Sequence, residues 1–157
     1  MKSLRSLPVP VILLAFSALM LVGFANAKEG ELVVEAQLVW GTNDETSPNP
    51  KHKSVEPTIA KKLGDSPFKW KRYFEEERKT AAVSPTTSQK LEMSKNAVIE
   101  VKNLGKDVVE VKLIGDGKTV AKNKGPLADG EIMVIGGDAK NDTAWFIILR
   151  KVNDSKK

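Results

Sequence analysis

The chain contains no cysteine. That absence removes disulfides, thiolate nucleophiles, iron–sulfur clusters and cysteine-ligated zinc or copper. There is one histidine, His52, set between Lys51 and Lys53. Two flanking cations repel a metal ion, and no second imidazole exists to share one, so no metal site is expected from it. No serine stands in a Gly-x-Ser-x-Gly setting. Gly117-Lys118-Thr119 imitates the end of a phosphate-binding loop, but Lys112 stands where that loop needs its first glycine, and Gly125-Pro126 denies it a following helix. These residues read instead as a hairpin turn. No uninterrupted apolar run reaches the roughly 20 residues that cross a bilayer.

What is present begins with an export leader. Lys2 and Arg5 make a basic start, residues 11–24 are an apolar run, and Ala25-Asn26-Ala27 offers the small-x-small pattern of a cleavage site. The alternative, a retained anchor, is opposed by the shortness of the run and by Ser17 and Gly23 inside it. Residues 1–27 are therefore expected to be removed, leaving a periplasmic or extracellular protein with no stable membrane span. About 130 residues remain, enough for one domain with a modest core. With Lys2 and Arg5 taken from the 25 Lys and Arg, 23 face 20 Asp and Glu, a weakly basic balance of +3. Small exported domains often rely on disulfides, and their absence here favours a bacterial envelope over an animal secretory setting.

Residues 32–40 form a β-branched run in which Leu32, Val34, Ala36 and Leu38 share one face of a strand that ends at Gly41. A long polar loop, 41–54, follows, with Pro48 and Pro50 denying it regular structure. Pro57 suits the first turn of a short helix over 57–64, with Ile59, Ala60 and Leu63 on one side and Lys61 and Lys62 outward. Residues 70–83 fit either a helix, from the spacing of Trp70, Tyr73 and Phe74, or a long strand. The Ser84-Pro85 turn directly after Val83 tilts the reading to strand from about Arg72.

From Gln89 onward the alternation is regular: Leu91 and Met93, Ile99 and Val101, then Val109, Val111 and Leu113. These are half-buried antiparallel strands joined by hairpins at 103–106 and 115–117. Residues 132–135 and 144–152 are apolar enough for central strands. The expectation is a mainly β domain over 28–153: one antiparallel β-sandwich or open barrel of about seven strands with one short helix. Residues 154–157 are expected to form a disordered charged tail.

Two surfaces are candidates for binding. Trp40 closes the first strand and Trp145 opens the last. If those strands pair antiparallel, both indoles reach one end of the domain beside Asn43, Asp44, Asp138, Asn141 and Asp142. An exposed indole beside carboxylates and amides can hold a sugar ring, whereas core packing is the plain alternative for both tryptophans. The second surface is a basic band of Lys51, Lys53, Lys61, Lys62, Lys69, Lys71 and Arg72, opposed in the same stretch only by Glu56 and Asp65. It suits an anionic envelope polymer or lipid headgroup if it is more than a solvated surface. Nucleic acid is not an expected partner in that compartment.

Catalytic readings are weaker. Carboxylate pairs drawn from Asp44, Glu45, Asp138 and Asp142 are what any acid-bearing surface supplies. Asn43, Asp44, Asp138, Asn141 and Asp142 offer hard oxygens to calcium, but no Asp-x-Asp-x-Asp-Gly register is present, and turn formation accounts for them. Asn141-Asp142-Thr143 and Asn153-Asp154-Ser155 match the glycosylation sequon, which carries no meaning in a bacterial chain. No enzyme activity and no cofactor are expected.

Trp40-Gly41-Thr42-Asn43-Asp44, with Gly136-Gly137 and Asn141-Asp142-Thr143-Ala144-Trp145-Phe146, resembles a group of small exported bacterial proteins with no assigned activity. The resemblance spans most of the mature chain. It implies that the two loop regions belong to one domain, and it implies no reaction. The expectation from the residues is a noncatalytic exported module that binds an envelope protein, or alternatively a glycan or anionic polymer.

Overall fold

A computed structural model describes residues 30–138 and 142–153. The leader, Asn141 and the tail 154–157 lie outside the described residues. Nine strands and one helix follow the order β1 (Leu32–Thr42), β2 (Lys53–Ser54), α1 (Pro57–Gly64), β3 (Arg72–Val83), β4 (Gln89–Ser94), β5 (Ala97–Asn103), β6 (Val108–Gly115), β7 (Lys118–Pro126), β8 (Ile132–Asp138) and β9 (Ala144–Lys151). They build two antiparallel sheets, β2-β3-β1-β9-β8 and β4-β5-β6-β7. The mainly β sandwich with one short helix is as the alternation indicated.

Period-2 alternation explains the layering. Leu32, Val34, Ala36 and Leu38 of β1, with Ile147 and Leu149 of β9, face the second sheet and meet Leu91, Ile99, Val101, Val109, Val111 and Leu113. The opposite face of the first sheet is also covered. Val39, Phe146 and Ile148 pack there against Ile59 and Leu63 of α1 and against Trp70 and Tyr73. The i, i+4 pair Ile59 and Leu63 buries one stripe of the helix. β1 and β9 are thus buried on both faces, which is why they are apolar almost throughout.

The first strand runs two residues beyond the expected run 32–40, through Gly41 and Thr42. Gly41 continues the strand because the bare Cα fits under the rings of Phe146, Tyr73 and Trp70; a Cβ there would lie 3.0 Å from Phe146. The ambiguous segment is strand β3, paired with β1 from Arg72 to Val83. The 115–118 hairpin has positive φ at Asp116 and Gly117, the backbone that a tight two-residue turn requires. Two strands exceed the expected seven. β2 is only two residues long, and β7, Lys-Thr-Val-Ala-Lys-Asn-Lys-Gly-Pro, is an edge strand without apolar alternation.

The two ends of the sandwich differ. At one end Leu127, fully buried, plugs the gap between the sheets, and its N–H donates to the Asp107 carbonyl over 2.7 Å. Buried Asn103 closes the same end, its amide donating to the carbonyls of Gly30 and Val83 over 2.9 and 3.0 Å. Val152 N–H bonds the Val33 carbonyl, so both ends of the described chain lie here.

Candidate functional site

The opposite end is open. Three strands break register there, and in each case one residue is left outside the ladder. Leu38 pairs with Glu77 but Val39 with Glu75, which leaves Glu76 unpaired in β3. Leu113 pairs with Ala121 but Ile114 with Thr119, which leaves Val120 unpaired in β7. Glu92 pairs with Val98 and Ser94 with Ala97, which leaves Met93 out of β4. A bulge re-aims its extra side chain and sharpens the local twist. Here the breaks lie beside a cleft between the two sheets.

Glu76 and Val120 line the resulting cleft, of about 400 Å³. Trp145 and Leu38 form one wall, and Ala97, Gly115 and Leu113 the other. The space has a compositional cause. Trp145 pairs with Gly137, which has no side chain to lie beside the indole, and Ala97 pairs with Gly115 across the gap. A second cleft of about 490 Å³ continues past Glu76, Ser94 and Asn96 toward Lys51, His52, Glu77, Met93 and Lys95. Two turns of the second sheet form the lip and are tied together, since Asp116 N–H donates to the Asn96 carbonyl over 3.3 Å. Val120 is 58% exposed at this mouth.

β1 and β9 pair antiparallel with Trp40 directly opposite Trp145. The same row continues to Phe74 on β3, whose ring centroid is 6.3 Å from that of Trp40. His52 flanks Trp40 at 6.4 Å. Its Nδ1 lies 2.7 Å from Ser47 Oγ. Both indoles are half-buried and share the inward parity of Leu38 and Ile147, so they face the gap between the sheets. The polar residues expected beside them go elsewhere. Asn43 is exposed and accepts the Lys71 N–H over 3.2 Å. Asp142, exposed and at positive φ, accepts the indole N–H of Trp70 on its carbonyl over 2.8 Å, with Lys69 Nζ 3.9 Å from its carboxylate.

Trp70 packs on Phe146, on the helix side of the first sheet. Residues 69–71 therefore hold both polar loops on the outer face, and the expected corner is split across the two faces of one sheet. Asp44 is exposed, its N–H donating to Thr42 Oγ1, and Asp138 ends β8 opposite Ala144. Asn141 lies outside the described residues.

The seven cations of the basic band lie on three separate pieces of chain. Lys51 and Lys53 stand at β2, Lys61 and Lys62 on α1, and Lys69, Lys71 and Arg72 at the entry to β3. Six are exposed. Lys62 is half-buried and donates to the Gly130 carbonyl in the β7–β8 connection.

Strong electrostatic coupling is found on the face opposite the cleft, between the outer side of the first sheet and the start of α1. Arg150 binds Glu56 over 2.7 and 3.0 Å and Glu35 over 2.8 Å; Arg78 binds Glu56 over 2.8 Å, Glu75 and Glu35. Hydrogen bonds from Arg150, then from Arg78, hold the Glu56 carboxyl down at about 2. Glu75 and Glu56 raise Arg78 in turn. Glu75 and Arg78 are three apart and would ordinarily point to opposite faces. The bulge at Glu76 restores them to one face, so a single irregularity both builds this network and turns a carboxylate into the cleft.

The residues that line the cleft, Glu76, Ser94, Asn96, Ala97, Gly115, Asp116 and Val120, carry no motif. The Gly-Asp-Gly and Ser-Lys-Asn turns signal the lip only as hairpins. Among the described residues no three His, Cys, Asp or Glu side chains come together as a metal site, and no helix is long and apolar enough to cross a membrane. Comparison with protein-family models, with curated proteins and with solved structures finds no match for this chain. The fold thus defines a class only: a two-sheet antiparallel sandwich with a helix laid across one outer face.

Proposed function

We propose that this protein is a noncatalytic, exported binding module of the bacterial cell envelope, and that it engages its partner protein through the open end of the sandwich. One observation carries the reading: β3, β4 and β7 all break register at that end, and the residues freed by the breaks line two adjoining clefts that share Glu76, Ser94 and Asn96. The other end is plugged by Leu127 and Asn103 and holds both ends of the described chain, so docking at the cleft leaves them unobstructed. An exposed apolar residue at the lip, Val120, suits a protein surface. The leader supplies the export half of the proposal.

The test is photo-crosslinking in living cells from a benzophenone amino acid placed at Val120, with Leu104 as the control. Leu104 is also exposed but sits in the β5–β6 turn at the closed end. The expected result is a defined set of envelope proteins joined from position 120 and not from 104. Adducts from 104 alone, or none from either, would overturn the proposal. A glycan reading draws on the half-exposed Trp145, and a polymer reading on the six exposed cations. Salt-sensitive retention on heparin, lost when Lys69, Lys71 and Arg72 are neutralised, would favour the polymer.

A further inference from the structure

We infer that the cleft takes a basic side chain, lysine or arginine, from its protein partner. The inference rests on the open end being the docking surface and names what enters it. Charge complementarity is the first argument. Glu76 and Asp116 line the cleft, and neither carboxylate has an ion pair or hydrogen bond among the described residues. No lysine or arginine lines the same space. Cations outnumber acids in this chain, and Glu35, Glu56, Glu75, Glu100 and Glu110 all have basic partners. Other surface acids, such as Glu45 and Glu92, are also without an ion pair, but Glu76 and Asp116 are the two that line one cleft with an indole, where a cation from outside can reach both.

The shape of the walls agrees with that charge. Trp145 contributes an indole whose π-face attracts a cation, and Leu38 and Leu113 offer apolar contact to the methylene stem behind it. Ala97 and Gly115 opposite leave room for such a stem. The lip is preorganised: the Asp116 N–H is bonded to the Asn96 carbonyl, and the Asn96 N–H to Ser94 Oγ over 3.3 Å. In the adjoining cleft Lys51 and Lys95 stand with Glu76 and Glu77, so one acidic slot opens beside a region of mixed sign. A peptide can enter its basic side chain in the slot and lay the rest along that mixed surface.

The probe is acetyl-valyl-lysyl-valine amide, titrated into the isotope-labelled protein and followed by amide and indole resonances. Its Nε-acetylated form and a chito-oligosaccharide serve as comparisons. The lysine peptide is expected to shift the Trp145 indole N–H and the Ala97 and Gly115 amides saturably. Acetylation should weaken it about tenfold, from loss of the ion pair and of the cation–π contact together. E76Q and D116N should each weaken the lysine peptide severalfold while leaving the acetylated peptide unchanged. Both substitutions fall at positions whose carboxylates hold nothing in the fold, so the dispersed spectrum should persist.

Equal binding of the two peptides, or no binding of either, overturns the cation inference. If the acetylated peptide binds as tightly as the lysine peptide, or if the oligosaccharide alone shifts the same resonances, the cleft still binds and only the named occupant is wrong. If, in addition, position 120 yields no crosslink in cells, the docking surface itself falls.

Discussion

Replacing Glu56 by Gln should weaken the fold at neutral pH and have almost no effect in strong acid. Glu56 sits at the N-terminal boundary of α1 and joins the helix to two strands of the first sheet, through Arg150 of β9 and Arg78 of β3. Its carboxyl is held at about 2 against an ordinary 4.5. Each unit of such a displacement corresponds to about 1.4 kcal/mol, so the full displacement sets an upper bound of about 3.5 kcal/mol. Two features reduce it. The side chain is 37% exposed, so water screens the pairs, and both arginines keep second carboxylates, Glu35 and Glu75. About 1 kcal/mol is the expected loss, which in a domain of this size lowers Tm by roughly 3–6 °C.

The sign follows from which state binds the proton more weakly. The folded value lies below the unfolded one, so the Glu56 contribution is complete above about pH 4.5 and is lost as pH falls through about 2. Urea unfolding followed by circular dichroism, run on the native protein and E56Q from neutral pH down to about pH 2, measures the gap between them. Glu110 and Asp129 are also held low, by Lys122 and Lys151, so both proteins lose stability in acid. The difference between the curves isolates Glu56. A gap that stays constant from about pH 7 to about pH 2 would refute the reasoning, because a packing defect does not titrate.

Other perturbations separate the two ends of the sandwich. L127A removes the plug of the closed end and should cost about 2–5 kcal/mol in urea unfolding, while crosslinking from position 120 persists wherever the protein remains folded. G136A should be destabilising by about 1–3 kcal/mol, since its Cβ would overlap the Trp145 carbonyl oxygen and lie 2.8 Å from the Phe146 ring; an unchanged urea midpoint would mean that β8 shifts freely. Trp40 and Trp145 are half-buried and Trp70 is buried, so acrylamide should quench part of the fluorescence and W145F should remove much of the accessible fraction. Complete protection of the native protein would close the cleft to ligand.

The fold was legible where alternation is clean. β5 shows period 2 because it faces one core, whereas β1 and β9 read as apolar runs because both of their faces are covered. β7 was not legible, since an edge strand guarded by Lys118, Lys122 and Lys124 is held by backbone pairing with β6 and shows no apolar alternation. The choice between helix and strand at 72–83 is settled by a partner far away in sequence, β1, and local propensity does not contain it. The place of α1 followed from Pro57 and the Ile59–Leu63 spacing. What lay beneath it did not. Glu35 and Gln37 are buried by the helix layer, with the Gln37 amide donating to Glu35 over 2.8 Å, and the acid is balanced by Arg78 and Arg150 from other strands.

The candidate site divides in the same way. That Trp40 and Trp145 reach one end of the domain follows from their places at the ends of two strands, once those strands pair antiparallel. Which way they point depends on parity, and parity places them with Leu38 and Ile147, facing inward. Asn43 and Asp142 have the other side of the sheet, where Lys71 and Trp70 bind them. The cleft depends on three single-residue breaks in register, and a bulge leaves little trace in composition: one residue more or less between two strands reverses every side chain beyond it.

Those breaks give the molecule its polarity. A regular sandwich would bury Glu76 and Val120 in ladders, or turn them to solvent, and would close both ends alike. At the closed end Asn103 bonds two carbonyls and Leu127 bonds the Asp107 carbonyl, and both ends of the described chain lie beside them. At the open end Glu76 and Asp116 keep unpaired charges, Val120 keeps apolar surface in water, and Trp145 has a glycine for its neighbour. The two exposed carboxylates are hydrated and cost the isolated fold nothing, and Val120 is the group whose apolar surface stays in water. The proposed partner would set a cation beside Glu76 and Asp116 and cover Val120 in one contact, and among the described residues of the closed end no pair of unpaired acids stands beside an indole in this way.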